Sequence, residues 1–237
     1  MLRLLKRGRC RLEEVNNDLG TLADCVGRYV SEGVTGVAAF IEEVAEKLVP
    51  MSKETAFTAL GMAAATAGKA QFIQAAALAL PMIESGEGRL FVLKALATLY
   101  SGVEAARAAA SARPPLTEDE YTALLSTLAC DDLEKLSSVG GSPPQFVRAY
   151  ARIALRSPCK ASVKAEGVKA LFTLASWGLI TKEEVAAMAK ELGMKIALVR
   201  GEEGIKGVRV SVSGLTITGG TDLALPVIKG LKALGAL

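Results

Sequence analysis

A chain of 237 residues with 51% apolar side chains can bury one large core, or a core with an appendage, and 5% aromatics favour close helix–helix packing over an aromatic-rich sandwich. The absence of histidine excludes a Ser-His-Asp triad, a Cys-His dyad and any imidazole metal site or proton shuttle. A net charge of +3 excludes a strong overall electrostatic bias, so any charge-driven function rests on where the charges sit.

The amides are limited to Gln71, Gln74, Gln145, Asn16 and Asn17. Depletion of heat-labile amides beside abundant Glu, Lys and Arg points to a hyperthermophilic source. The first eleven residues, MLRLLKRGRCR, are basic and no apolar stretch follows, so no signal peptide is expected. The unbroken apolar run Ala75–Ile83 is far shorter than the roughly 20 residues of a spanning helix. The expectation is a cytoplasmic protein with no membrane association.

Cys10, Cys25, Cys130 and Cys159 form no C-x-x-C pair, and no metal or other cofactor is expected. Four buried small apolar residues is the simplest reading. Structural disulfides are the alternative, because intracellular hyperthermophile proteins are the exception to the reduced-cytosol rule. Sequence alone does not pair them.

In chain order, residues 1–11 read as a basic arm and residues 12–193 as a helical domain. Phe40, Ile41, Val44 and Leu48 share one helical face, as do Leu93, Leu96, Tyr100 and Val103. Gly86-Glu87-Gly88 reads as a helix–helix turn. Tyr121, Leu124, Leu125 and Leu128 continue the periodicity, then Phe146, Tyr150 and Ile153, and finally Val185, Met188, Ala189 and Leu192. Helix starts are expected at three capping signals: Thr117 to Glu120, Thr181 to Glu184, and Ser142-Pro143-Pro144-Gln145, with proline at the first helical position. Helix pairs starting near Val34, Lys69, Leu116 and Ala161 suggest either an irregular bundle or a short stack of helical hairpins.

After Gly193 the period changes. KIALVR (Lys195–Arg200) and GVRVSVS (Gly207–Ser213) read as strands, the second half-buried by its period-two alternation. Leu215–Thr218 extends or follows them, the glycine-rich loop GEEGIKG joins the first two, and a last helix begins near Asp222. Pro226 is expected in its first turn or at a kink. The fold class is therefore mainly α, with residues 194–237 as a small β-hairpin and helix module packed on the helical domain.

Candidate chemistry is sparse. The carboxylate runs, such as Glu118/Asp119/Glu120 and Glu183/Glu184, are explained by helix capping and solvation. Gly219-Gly220-Thr221, between a strand and a helix, is a weak anion-binding candidate, because Asp222 competes for the same amides. No catalytic residue is assigned, and an enzyme acting on a small anionic substrate is the third reading.

The charge distribution says more. Residues 1–11 carry five basic residues and no acid, residues 12–193 are net −5, and residues 194–237 are net +3. From Lys135 to Ala165 there are six basic residues and no acidic one. Arg148, Arg152 and Arg156 recur at i, i+4, i+8 and form one stripe. Like charges at that spacing repel by a few tenths of a kcal/mol per pair, so an anionic partner is expected opposite. It is either the chain's own carboxylates or a nucleic-acid backbone, bound through Arg148, Arg152, Arg156, Lys160 and Lys164 with help from Arg7 and Arg9.

GLITKEEVAAMAKELG (Gly178–Gly193) followed by two strands resembles part of a winged helix, but no recognition helix follows, which argues against DNA reading of that kind. In general character the chain resembles helical accessory subunits of archaeal nucleoprotein complexes, such as the small subunits of CRISPR interference complexes. That resemblance implies a non-catalytic protein binding nucleic-acid backbone without sequence readout. The alternative is a protein–protein scaffold or self-assembling homo-oligomer.

Overall fold

A computed structural model describes residues 10–12, 18–136, 142–201 and 204–237. The chain divides into two compact units, Met1–Leu124 and Leu125–Leu237.

The first unit is helical. Helix α1 (Leu19–Val30) starts at Asp18, whose carboxylate accepts from Gly20 N at 3.0 Å and from the Thr21 hydroxyl at 2.6 Å. Helix α2 (Gly33–Glu43) runs on into a π-helical turn, Val44–Leu48, and is buried along Val37–Ile41. Glu43 is buried too, and its carboxylate accepts the Tyr29 hydroxyl at 2.7 Å, so the charge has a partner in the core. Helices α3 (Lys53–Ala67) and α4 (Lys69–Ala79) meet at Gly68, which is at positive φ.

Helices α5 (Gly86–Leu99) and α6 (Gly102–Ser111) follow. Gly86-Glu87-Gly88 is not a turn between helices. It is the first turn of α5, because the preceding Ser85 accepts from Gly88 N at 3.0 Å and caps the helix there. Helix α7 (Glu118–Leu125) begins at the expected capping box: Glu120 N donates to Thr117 Oγ1 at 3.3 Å and Thr117 N donates to Glu120 Oε2 at 2.9 Å. Tyr121 is fully buried and its hydroxyl donates to Ala109 O at 3.1 Å, fastening this helix to the end of α6.

The second unit contains α8 (Cys130–Lys135), α9 (Pro144–Arg156), α10 (Ala161–Ser176), α11 (Lys182–Glu191), strands β1 (Lys195–Gly201), β2 (Gly204–Val212) and β3 (Leu215–Gly219), and α12 (Thr221–Ala233). The Thr181 capping box forms at the start of α11. The helix expected after Ser142 starts one residue later than the capping pattern implies: α9 begins at Pro144 with Pro143 as its N-cap. A residue before proline is held extended, so Pro143 takes the N-cap position, and it offers no side-chain acceptor.

All four cysteines are paired, Cys10 with Cys25 and Cys130 with Cys159. The disulfide alternative therefore replaces the simplest sequence reading, that of buried free thiols. Each unit carries one crosslink.

The sheet is antiparallel in the order β1-β2-β3. A two-residue turn, Ser213 and Gly214, both at positive φ, joins β2 to β3. Such turns match the strand twist, and glycine adopts that conformation without strain. One sheet face, Val208, Val210, Val212 and Ile217, is buried with Leu223, Ala224 and Val227 of α12 and with Leu171, Phe172 and Ala175 of α10. Pro226 lies inside α12, past its first turn.

The helices under the sheet approach closely. A Cβ on Gly230 of α12 would lie 2.6 Å from the Phe172 carbonyl oxygen, and one on Gly167 of α10 would lie 3.0 Å from Ala154 and Leu155 of α9. These glycines set the distances at which α10 meets its neighbours. Gly230→Ala is expected to cost about 1–3 kcal/mol, because the obstacle is backbone. Gly27→Ala, at an exposed position of α1 with nothing within 4 Å, is expected to stabilise by roughly 0.5–1 kcal/mol. Thermal melts of the two variants should therefore shift in opposite directions.

Candidate functional site

The arginine stripe of α9 faces carboxylates of its own unit. Arg156 makes a two-pronged pair with Glu191, both contacts at 2.9 Å. Arg148 lies 3.7 Å from Glu184 and also donates to the Leu179 carbonyl. Arg152 acts electrostatically on both Glu184 and Glu191. Two geometric repeats coincide here. At about 1.5 Å per residue, Arg148 and Arg156 stand ~12 Å apart along α9, and Glu184 and Glu191 stand ~10.5 Å apart along α11.

The remaining members of the basic set are also engaged. Lys160 pairs with Glu134 at 2.8 Å and lies 3.7 Å from Asp131, and its pKa is raised by the Glu134 hydrogen bond. Lys164 is only 2% exposed. Its ammonium donates to the carbonyls of Leu155, at 2.5 Å, and Ser157, and burial lowers its pKa. It serves as a cation at the C-terminal end of α9, where free carbonyls concentrate negative potential. Arg7 and Arg9 lie outside the described residues.

Gly219, Gly220 and Thr221 are brought together at the turn from β3 to α12. Gly220 is the N-cap and supplies no side-chain acceptor. Asp222, in the first helical turn, has a lowered pKa because Lys169, 3.3 Å away, donates to it, with backbone amides adding to the effect. The adjoining cleft of about 290 Å³ is lined by Glu134, Glu166, Asp222 and a single cation, Lys169. Three carboxylates against one ammonium disfavour a phosphate there. Among the described residues no cluster of carboxylates and thiols is arranged to hold a metal ion.

A different basic surface is present on the sheet. Residues opposite one another in an antiparallel pair share a face. The register Lys195↔Ser211↔Thr216 and Ala197↔Arg209↔Thr218 places these six on one face, opposite the buried valines. Lys195, Ala197, Arg209, Thr216 and Thr218 are exposed. Among the described residues neither Lys195 nor Arg209 makes an ion pair, and the hydroxyls of Ser211 and Thr216 lie 3.3 Å apart beside them. The sequence held two signals for this face, the alternation of GVRVSVS and the +3 excess of residues 194–237. Neither showed that Lys195 and Arg209 share a side, because that depends on strand register.

Comparison with known proteins gives no match to a family model, to a curated protein or to a solved structure. Among the described residues no helix is long and apolar enough to cross a membrane.

Glu191 titrates low because Arg156 donates to it, and Glu184 because it accepts from the Thr181 amide and faces Arg148. Depressed carboxylate values mean that this stabilisation is present above the ordinary glutamate value of 4.5 and is lost as pH falls through the lowered folded-state values. Melting of wild type beside Arg148→Ala/Arg156→Ala should show a wild-type advantage at neutral pH that closes as the pH drops below 4.5. An advantage independent of pH would place the role of these arginines in packing instead.

Proposed function

We propose that this protein is a non-catalytic helical accessory protein that binds the phosphate backbone of a nucleic acid through the outer face of β1–β3. The observation that carries this reading is the contrast between two sets of cations. Those of the α9 stripe have carboxylates opposite them, whereas Lys195 and Arg209 stand exposed on a hydroxyl-bearing face without an ion-pair partner among the described residues. An arginine fork and a lysine ammonium bind phosphate oxygens, and serine and threonine hydroxyls donate to phosphate and sugar. The face carries no aromatic ring on which a base could stack, which favours contact with the backbone without base readout.

The cellular setting we propose is the cytoplasm of a heat-adapted archaeon, within a nucleoprotein complex. Amide depletion supports it, as does a disulfide in each unit, a combination that intracellular hyperthermophile proteins tolerate. One observation favours the scaffold reading as runner-up. An open groove of about 530 Å³ between α4 and α6 is walled by Ile73, Ala77 and Ala108. Apolar grooves of that kind receive partner helices.

Fluorescence anisotropy with generic single- and double-stranded oligonucleotides, titrated over salt, tests the proposal. Lys195→Glu/Arg209→Glu is expected to weaken binding at least about tenfold near 50 mM salt and to flatten the log–log salt slope by about 2. A folded Arg148→Glu/Arg152→Glu/Arg156→Glu variant is expected to keep its binding and lose thermal stability. Wild-type affinity in the sheet variant, or no wild-type binding at low salt, would leave the scaffold reading in its place.

A further inference from the structure

We infer that the Cys130–Cys159 disulfide is a redox latch that docks the acidic helix α8 onto the corner between α9 and α10, and that its reduction releases α8 and frees Lys160 of its carboxylate partners. Helix α8 has six residues, too few to hold a helix by itself, and its N-cap, Ala129, provides no side-chain acceptor. Its order therefore depends on what fastens it.

The fastenings among the described residues include a hydrogen bond that the Ser162 hydroxyl donates to the Glu134 carboxylate. Leu133 and Leu136 are buried. The Leu133 carbonyl accepts the Tyr150 hydroxyl at 3.0 Å. Glu134 and Asp131 engage Lys160, at 2.8 and 3.7 Å. The disulfide joins the first residue of the helix to Cys159 in the corner. The Lys160 pair is half-exposed and contributes little on its own, and the two leucines lie toward the middle and end of the segment. The crosslink is thus the covalent anchor of the helix start, and redox chemistry removes it without changing any other covalent bond of the second unit.

Access favours the same conclusion. Cys130 is half-buried, whereas Cys159 is 5% exposed, so an incoming thiol meets the Cys130 sulfur first. The reductant is a dithiol. One of its thiolates attacks Cys130 Sγ, the Sγ–Sγ bond breaks, and Cys159 leaves as a thiolate that takes up a proton. The second thiol of the reductant then attacks the mixed disulfide, frees Cys130 as a thiol and closes a cyclic disulfide. Two electrons pass from the dithiol to the protein, and an oxidised dithiol reverses the reaction.

Electrostatics gives the released state a distinct surface. Helix α8 carries Asp131, Asp132 and Glu134 against Lys135. Docked, it neutralises Lys160. Undocked, it removes that acidic charge and leaves Lys160, exposed in both states, without the carboxylates that neutralise it in the oxidised protein, so that an anionic partner meets an uncompensated cation.

Hydrogen exchange read by mass spectrometry on the whole wild-type chain, before and after dithiothreitol, is the test, with thiol alkylation confirming which pairs have opened. Residues 130–136 are expected to exchange at least about tenfold faster after reduction, while residues 161–176 change less than about twofold. Cys130→Ser/Cys159→Ser should show the same local pattern without reductant. Three results would overturn the inference: unchanged exchange in 130–136, equal loosening of 161–176, which would make the disulfide a general brace, or free thiols at Cys130 and Cys159 before reduction.

Discussion

The second unit depends on how near α10 lets its neighbours come. Gly230 allows α12 to lie against the Phe172 backbone, and Gly167 allows α9 to lie against the other part of the same helix. Because α10 and α12 are in contact at that distance, together they offer one apolar surface to the inner valines of the sheet. A strand buries alternate residues, so burying Val208, Val210 and Val212 obliges Arg209 and Ser211 to face outward. Register with β1 then places Lys195 on the same side. The proposed binding face is thus a consequence of helix packing beneath it.

The two sets of cations differ in how their charge is met. On α9 the arginines recur every turn, and such a ladder repels itself unless an opposing charge is supplied. Helix α11 supplies it, with its own glutamates at nearly matching rise, 35 or 36 residues further along the chain. Among the described residues of the sheet no carboxylate of matching register is built in, since the positions beside Lys195 and Arg209 are alanine, serine and threonine. Charge concentrated in sequence is therefore compensated in space, while charge dispersed in sequence is gathered in space.

Much of the fold was legible because its signals are local. The period-two alternation of GVRVSVS marked β2, and Thr117 and Thr181 marked helix starts through bonds spanning three residues. At Ser142 the pattern put the helix start one residue early, because Pro143, held extended by Pro144, takes the N-cap position. Gly86 misled because its role depends on Ser85 acting as a cap. The cysteine pairs, the burial of Lys164 and the Arg156–Glu191 pair were not legible, since each joins residues through folding and leaves no periodic trace. Lys164 in particular reads as one more surface lysine until the carbonyls at the end of α9 are found around its ammonium.

The most direct measurement is a map of backbone amide chemical shifts in isotope-labelled protein as a generic oligonucleotide is added at low salt. The account predicts that perturbed amides cluster at 195–199, 207–211 and 215–218, while those of 148–156 and 182–191 stay in place. Perturbations concentrated on 148–156, or none anywhere, would contradict it.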